Sequence, residues 1–425
     1  MKIWDYKINM GCGQTFLSPE VKKVLSLQLE TPSYYPPYWH VEKETIQLIK
    51  NIIKTDKDVF LLPGSTPFGF EMVCDSFLKE GDKLLVIDTG ISGRLAFEIA
   101  GLKGIPAEKL SFKYGKPADA AKIEEKLSSD ESIKMLMVAH CEEDTGVIND
   151  IKSIGEIAKK HHKNYFVDGT TSFCGSPVEV DNWGIDIFTA SSSNCVNAPE
   201  GIIILAVSKK NMEEFESNGF KSSSIYLNLN TWICRNKSNQ KDEITFLNLD
   251  QKSIFEDVEE SKIRLSEYPV IPAIMLYALK AALMDINEEG LESTYNKHRV
   301  ASDAVRAGVK KIGLKVLAKD EDAAPMCTTV IPPEDMDIVA LKKDIYESYG
   351  IAMGRCYTEN EDLGFTGFQI GTMGIAASPN YVLPTISALE NYLFSKKILN
   401  KLGKGLNAAV TIFKQITDIN PFSGS

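Results

Sequence analysis

Pro63-Gly-Ser-Thr66 follows the apolar run Val59-Phe-Leu-Leu62 and precedes a helical stretch. A Gly-Ser-Thr turn in that place sets backbone N–H groups and the Ser65 and Thr66 hydroxyls at a helix amino terminus, where the peptide dipoles favour an anion. The same residues also make a plain helix cap. Asp168 ends the run Tyr165-Phe-Val-Asp168. A carboxylate at the end of a buried strand is costly unless a cation or several donors meet it, so Asp168 pairs with a positive group or accepts backbone N–H bonds as a cap. Cys195 lies in a polar segment, but none of the histidines, at 40, 140, 161, 162 and 298, is near it in sequence, and a buried, unreactive thiol is expected. His140, Cys141 and Glu142 are consecutive. Side chains alternate in direction along extended chain, so these three do not converge on a metal, and no metal site is expected.

The elements that must position these groups are legible as short apolar runs alternating with helical stretches. The runs are Val59–Leu62, Lys83–Ile87, Lys134–Val138, Tyr165–Val167, Ile185–Phe188 and Gly201–Ala206. Near-continuous apolar strands separated by helices predict an α/β fold with a mostly parallel sheet covered on both faces, its sites at strand carboxyl ends. A strongly helical stretch over 277–309 leads into a second, smaller α/β unit with a strand at 327–331, a helix at 338–349 and a strand at 367–370. Residues 235–264 are polar and read as a surface loop or insertion. The tail breaks near Gly403 and Gly405 and resumes as a helix over 406–416, whose apolar face packs on its own domain or on a partner subunit.

Composition narrows the function classes. The chain has 425 residues, 44% of them hydrophobic and 25% charged, with a net charge of -11. That balance offers no clustered basic surface for nucleic acid or anionic membrane. No apolar run nears the roughly 20 residues that span a bilayer. Eight scattered cysteines without CxxC pairs, and an amino terminus without a signal-peptide core, point to a reducing cytoplasm.

Several segments together resemble the class V, fold-type I aminotransferases, most nearly the alanine:glyoxylate and 2-aminoethylphosphonate:pyruvate transaminases. They are Pro63-Gly-Ser-Thr66 with Glu71, Gly90-Ile-Ser-Gly93, His140-Cys-Glu-Glu-Asp-Thr-Gly146, Val167-Asp-Gly-Thr-Thr-Ser-Phe-Cys-Gly175, Asn197-Ala-Pro-Glu-Gly201 and Phe368-Gln-Ile-Gly371. The resemblance runs from Gly11 to Gly374. It implies an amino-terminal arm (1–20), a large PLP-transferase-like domain (21–285, with the polar insertion 235–264) and a small carboxyl-terminal α/β domain with an extra helical tail (286–425). It also implies pyridoxal or pyridoxamine phosphate as cofactor, with Ser65, Thr66, Ser92, Glu143, Asp168, Thr170 and Ser193 around it. Ser65 and Thr66 would hold the phosphate, Asp168 would keep the ring nitrogen protonated, and Thr170 would lie against the ring.

Departures from the family pattern carry more information than the matches. In Phe188-Thr-Ala-Ser-Ser-Ser-Asn-Cys-Val-Asn-Ala-Pro-Glu-Gly201 the family places a lysine that bonds the cofactor and shuttles protons; this chain has Asn194. Ser92 stands where the family has an aromatic stacked on the ring, a contact worth about 0.5–1.5 kcal/mol. Gln369 stands where an arginine grips the substrate carboxylate, which a neutral amide cannot imitate. Near Tyr268-Pro-Val270 the alignment puts Val270 at a family threonine. Lys209 and Lys210 read as solvent-facing and do not replace the missing amine. Arg355, in Ala352-Met-Gly-Arg-Cys356, is the candidate for a substitute carboxylate clamp or else a surface ion pair. The aromatic stretch Pro32-Ser-Tyr-Tyr-Pro-Pro-Tyr-Trp39 lines an altered pocket mouth or packs on a partner.

The loss of amine, ring stack and clamp together marks Asn194 as natural. Three functions fit: slow or non-covalent transaminase-type chemistry on a small amino or oxo compound, a non-catalytic homologue pairing with an active paralogue, or a pocket repurposed for another ligand. A homodimer, or a heterodimer with an active paralogue, is the expected assembly.

Overall fold

A computed structural model describes residues 7–27, 35–218, 224–239, 270–357 and 365–417. Its central sheet has seven strands in the order Asp58–Pro63, Ile202–Val207, Ile187–Ser191, Asn164–Asp168, Ile133–Ala139, Lys83–Asp88 and Ala107–Ser111. Neighbours are parallel except around Ile202–Val207, which runs antiparallel to both of its partners. Every residue of Asn164–Asp168, Ile187–Ser191 and Ile202–Val207 is buried. One apolar layer packs Leu136, Val138, Val167 and Ile204 under the Ala273–Glu289 helix, and the other packs Met135, Met137, Phe166 and Ile203 under Thr66–Phe77. The sheet is therefore the mostly parallel, doubly covered α/β layer that the apolar runs predict.

Two details differ from the sequence reading. The strand expected at 185–188 is Ile187–Ser191, because its ladder with Ile202–Val207 carries Ala190 and Ser191 along opposite Ile204 and Ile203. The helical stretch over 277–309 is two helices, Ala273–Glu289 and Leu291–Lys311, parted by Gly290 at φ 84. A positive φ at that junction is the conformation glycine adopts without a Cβ penalty.

Beyond the sheet, Cys356–Tyr357, Gly367–Gly371, Cys327–Ile331 and Lys315–Val316 form a four-stranded antiparallel sheet. Ile8–Met10 of the arm pairs in parallel with Ile351–Met353. A second core collects Met10 with Val305, Val330, Leu341, Phe368, Ile386, Leu389 and Ala409. The tail helix Lys404–Thr417 contributes Ala409 and packs against Leu291–Lys311, with the Glu390 carboxylate accepting from Gly403 N and Gly405 N at its start. Ala409 is buried there, while Ile412 and Phe413 are half-buried against the same core.

Arg235 corrects the reading of 235–264 as a polar surface loop. It lies in the Leu229–Asn239 helix, 4% exposed, with its guanidinium forked onto Glu42 at 2.6 and 3.0 Å. A buried arginine requires such a partner, and sequence composition does not reveal it. Residues 240–269 lie outside the described residues. Tyr38 is likewise fully buried, donating to the Ile271 carbonyl at 2.8 Å and accepting from Arg235 at 3.2 Å. That ring of the aromatic stretch packs inside its own chain.

Candidate active site

A cavity of about 470 Å³ opens at the carboxyl ends of the central strands. Its first wall is a helix start. Strand Asp58–Pro63 passes through Gly64 to Ser65, which takes the N-cap position of the Thr66–Phe77 helix with extended backbone, φ -121 and ψ 177. The Ser65 hydroxyl makes no cap hydrogen bond, no acidic residue occupies the first turn, and Pro67 brings no N–H. The plain-cap reading of the Gly-Ser-Thr turn therefore does not describe this helix. Phe68 N donates to the Ser65 carbonyl at 2.9 Å, so at this helix start the Thr66 N–H and the Ser65 hydroxyl are the donors beside the cavity, which Ser65, Thr66 and Pro67 line.

Asp168 forms the floor. It is 2% exposed, and its Oδ1 accepts from Thr170 N at 2.9 Å and from the Thr170 hydroxyl at 2.6 Å. Burial raises its pKa, and hydrogen bonds from Thr170 and Ser92 oppose that; none of these neighbours is charged. The Thr66 hydroxyl donates to that of Thr170 at 3.3 Å, joining the anion wall to the carboxylate. Ser92 lines the cavity without stacking surface, while Ile91 and Leu95 on the same helix supply apolar contact.

Asn194 faces the cavity from the far side. The chain leaves strand Ile187–Ser191, turns through Ser193 and enters a short 3-10 helix at Asn194, whose φ is 59. Asn and Asp are the non-glycine residues that best tolerate this left-handed region. The Asn194 Nδ2 donates to the Thr170 carbonyl at 3.1 Å, and its Oδ1 accepts from the Ser193 hydroxyl at 3.1 Å. Ser193 and Ser191 share a hydroxyl hydrogen bond of 2.9 Å. Among the described residues lining the cavity there is no lysine. Lys209 is exposed and Lys210 binds Asn164, both away from the cavity. Cys195, just past Asn194, is buried with its pKa pushed up to about 12 by burial, as an inert thiol requires.

The remaining wall is acidic. Glu142 and Asp144 turn away to the start of the Ile91–Leu102 helix, accepting from Ser92 N at 2.9 Å and from Ile91 N at 3.0 Å. Burial pushes Glu142 well up and Asp144 up to about 6. Glu143 lines the cavity, pushed up to about 7 by burial first and by Cys327 next, with Arg355 opposing. Arg355 is exposed and also lines it.

Gln369 is the site residue that the structure does not bring to the cavity. It is fully buried in strand Gly367–Gly371; its Nε2 donates to the Glu143 carbonyl and its Oε1 accepts from Arg355 N at 3.2 Å. Both ends of the amide are used inside the protein, so Gln369, at the substrate-binding position that the resemblance implies, is here a brace behind the wall. Sequence reasoning also missed Cys12, Gly13, Gln14, Thr171, Ser191 and Glu200 as lining residues. Gln14 and Glu200 were signalled only by their places in the Gly11–Thr15 and Asn197–Gly201 segments, and Leu95 by lying one turn beyond Ile91. Among the described residues no cluster of His, Cys, Asp and Glu could hold a metal ion, and no helix is long and apolar enough to cross a membrane.

Known proteins share this plan. The family model of class-V aminotransferases matches residues 39–240. An uncharacterized aminotransferase of Methanocaldococcus jannaschii is 30% identical over 386 residues, which are 90% of this chain and 92% of that protein. The crystal structure of ureidoglycine-glyoxylate aminotransferase from Bacillus subtilis is similar with a TM-score of 0.84 and 24% identity, over 97% of this chain and 100% of that one. Pyridoxamine-pyruvate aminotransferase from Mesorhizobium loti gives 0.83 and 23%, over 97% and 98%. These likenesses show the fold-type I architecture, and by sequence the chain belongs to the class-V aminotransferase family.

Proposed function

We propose that the chain holds pyridoxal or pyridoxamine phosphate without a covalent bond and carries out, at best slowly, aminotransferase-type chemistry on a small amino compound and its oxo counterpart. The observation that carries this reading is Asp168, a buried carboxylate on the cavity floor whose hydrogen-bond partners are the uncharged Thr170 and Ser92 and whose charged neighbour is a second acid, Glu142. A protonated ring nitrogen supplies the missing positive charge, while the bare start of the Thr66–Phe77 helix suits a phosphate. The donor set therefore fits the cofactor that the family implies. When bound, that cofactor supplies an electron-accepting ring for moving a proton and an amino group.

This chain's own residues then divide as follows. The Ser65 and Thr66 hydroxyls with the Thr66 N–H would hold the phosphate, and Asp168 would keep a proton on the ring nitrogen with its charge steadied by Thr170 and Ser92. Ile91 and Leu95 would offer the ring apolar surface on the wall where Ser92 supplies none. Asn194 offers an amide fixed between Thr170 and Ser193, which can donate and accept hydrogen bonds but does not titrate as an amine would. Without a lysine the proton transfer lacks its main base, and multiple turnover is slow.

Titrating the purified full-length protein with each cofactor form and following the visible spectrum tests this. A saturable spectral change, weakened at least tenfold in D168N, is the expected result. No spectral response to either form sinks the reading. Recovery of a lysine-containing paralogue as a stoichiometric partner from the native host would instead favour a non-catalytic subunit.

A further inference from the structure

Gln369 stands where the family resemblance puts a carboxylate-gripping arginine, yet it serves as a clasp. One buried amide ties the Glu143 carbonyl to the Arg355 N–H and so fixes the two segments that bring an acid and a base into the cavity wall. Glu143 lines the cavity beside the arm: its Oε2 lies 3.8 Å from where a Cβ on Gly13 would be, and Gly13 itself lines the cavity. Glu200 lines the same side and accepts from the Gln14 amide. Arg355 is the one cation among the described lining residues, and it is exposed. On this side acids outnumber bases, the reverse of what a carboxylate needs.

We propose that this side of the cavity recognises a second positive charge on the ligand, the distal ammonium of a small diamine, through the Glu143 carboxylate with Glu200 beside it, and does not anchor a substrate carboxylate. The assignment rests on reading the cavity as a cofactor site with its substrate side at Glu143. An ammonium placed there meets a half-buried carboxylate, and a charge-assisted hydrogen bond in such a place discriminates by tenfold or more. Glu143 must be ionised to pair, so affinity rises as pH climbs from about 6 to 8 through its value of about 7 and levels off above. The titratable and charged groups facing it are Cys12, Asp144, Glu200, Cys327, Arg355 and Tyr357. Comparing wild type with E143Q isolates its contribution from theirs.

Isothermal titration of the full-length protein with 1,4-diaminobutane, butylamine and L-alanine, with and without pyridoxamine phosphate, tests the assignment. The diamine should bind at least about tenfold more tightly than either monoamine, and its advantage should grow from pH 6 to 8. E143Q, with wild-type circular dichroism, should lose about tenfold in diamine affinity and the pH dependence with it, and E200Q should lose less. If E143Q does not fold, the wild-type pH profile decides, and a flat profile overturns the proposal. L-alanine binding as tightly as the diamine, and lost in R355M, also overturns it. Diamine preference without any spectral response to pyridoxamine phosphate supports this assignment while removing the cofactor reading.

Discussion

Asn194 sits in the left-handed region with its amide engaged at both ends, so its conformation and its contacts favour the same residue. A lysine at φ 59 carries a penalty on the order of 1 kcal/mol, small beside the covalent bond it would make available. N194K is therefore expected to fold and to retain pyridoxal phosphate through borohydride reduction, with the reduced adduct found by mass spectrometry on residue 194. The wild type should retain none. An adduct on any other lysine of N194K would show that residue 194 does not face the reactive carbon. At this scale the sequence was partly legible. Ser65, Thr66 and Asp168 could be read because each belongs to a short segment whose chemistry is local. The role of Gln369 could not, because the partners of its amide come from segments remote in sequence.

Helix starts show the same split between local pattern and tertiary partner. Helix 338–349 was readable to its ends, since Asp337 caps it from the adjacent position by accepting from Val339 N and Ala340 N. The Ile91–Leu102 helix has glycine at its N-cap and takes its acceptors from Glu142 and Asp144, on a loop that only the folded sheet brings near. Carboxylates suit the positive end of a helix, but burial outweighs that benefit here and holds Asp144 at about 6. Among the described residues its Oδ2 has no hydrogen-bond partner, and Arg94 is 3.9 Å away. Because the folded value lies above the unfolded one of about 3.9, the folded state binds the extra proton. The associated stability is full below pH 4, falls as pH rises to about 6, and stays lost above, a change on the order of 3 kcal/mol. D144N keeps the acceptor for Ile91 N and removes the charge. In denaturant unfolding it should gain on the wild type by about 1–2 kcal/mol between pH 4.5 and 7.5. Equal differences at the two pH values would mean that Asp144 is not the titrating group.

The whole molecule is drawn together where its separate parts meet behind the cavity. Asn197, also left-handed at φ 68, accepts through Oδ1 from the Thr15 hydroxyl of the arm at 2.8 Å and from Ile375 N at 3.1 Å. Gly374 N donates to His298 Nε2 at 2.9 Å, which sets that ring with its proton on Nδ1 toward the Thr294 carbonyl; burial pulls its pKa down to about 4 and keeps it neutral. Arm, cavity loop, long helix and second sheet thus share one junction. None of this was readable beforehand: the arm's strand Ile8–Met10 is three residues long, and its parallel pairing with Ile351–Met353 is set by backbone register rather than by side-chain pattern. The junction leaves no room for a methyl group, since a Cβ on Gly374, at φ 54, would lie 1.7 Å from the Asn197 Oδ1. G374A should therefore cost about 2–4 kcal/mol in denaturant unfolding through strain and lost hydrogen bonds. Because Asn197 closes the turn that begins at Asn194, the same change should weaken cofactor binding in the spectral titration. Gly101 provides the contrast: it lies exposed in a helix with nothing within 4 Å of its Cβ position, so G101A should add about 0.5–1 kcal/mol and leave the titration unchanged. If both variants moved stability alike, glycine's chain entropy would explain them. A loss at Gly374 against a gain at Gly101 would assign the effect to the packing that joins the two cores.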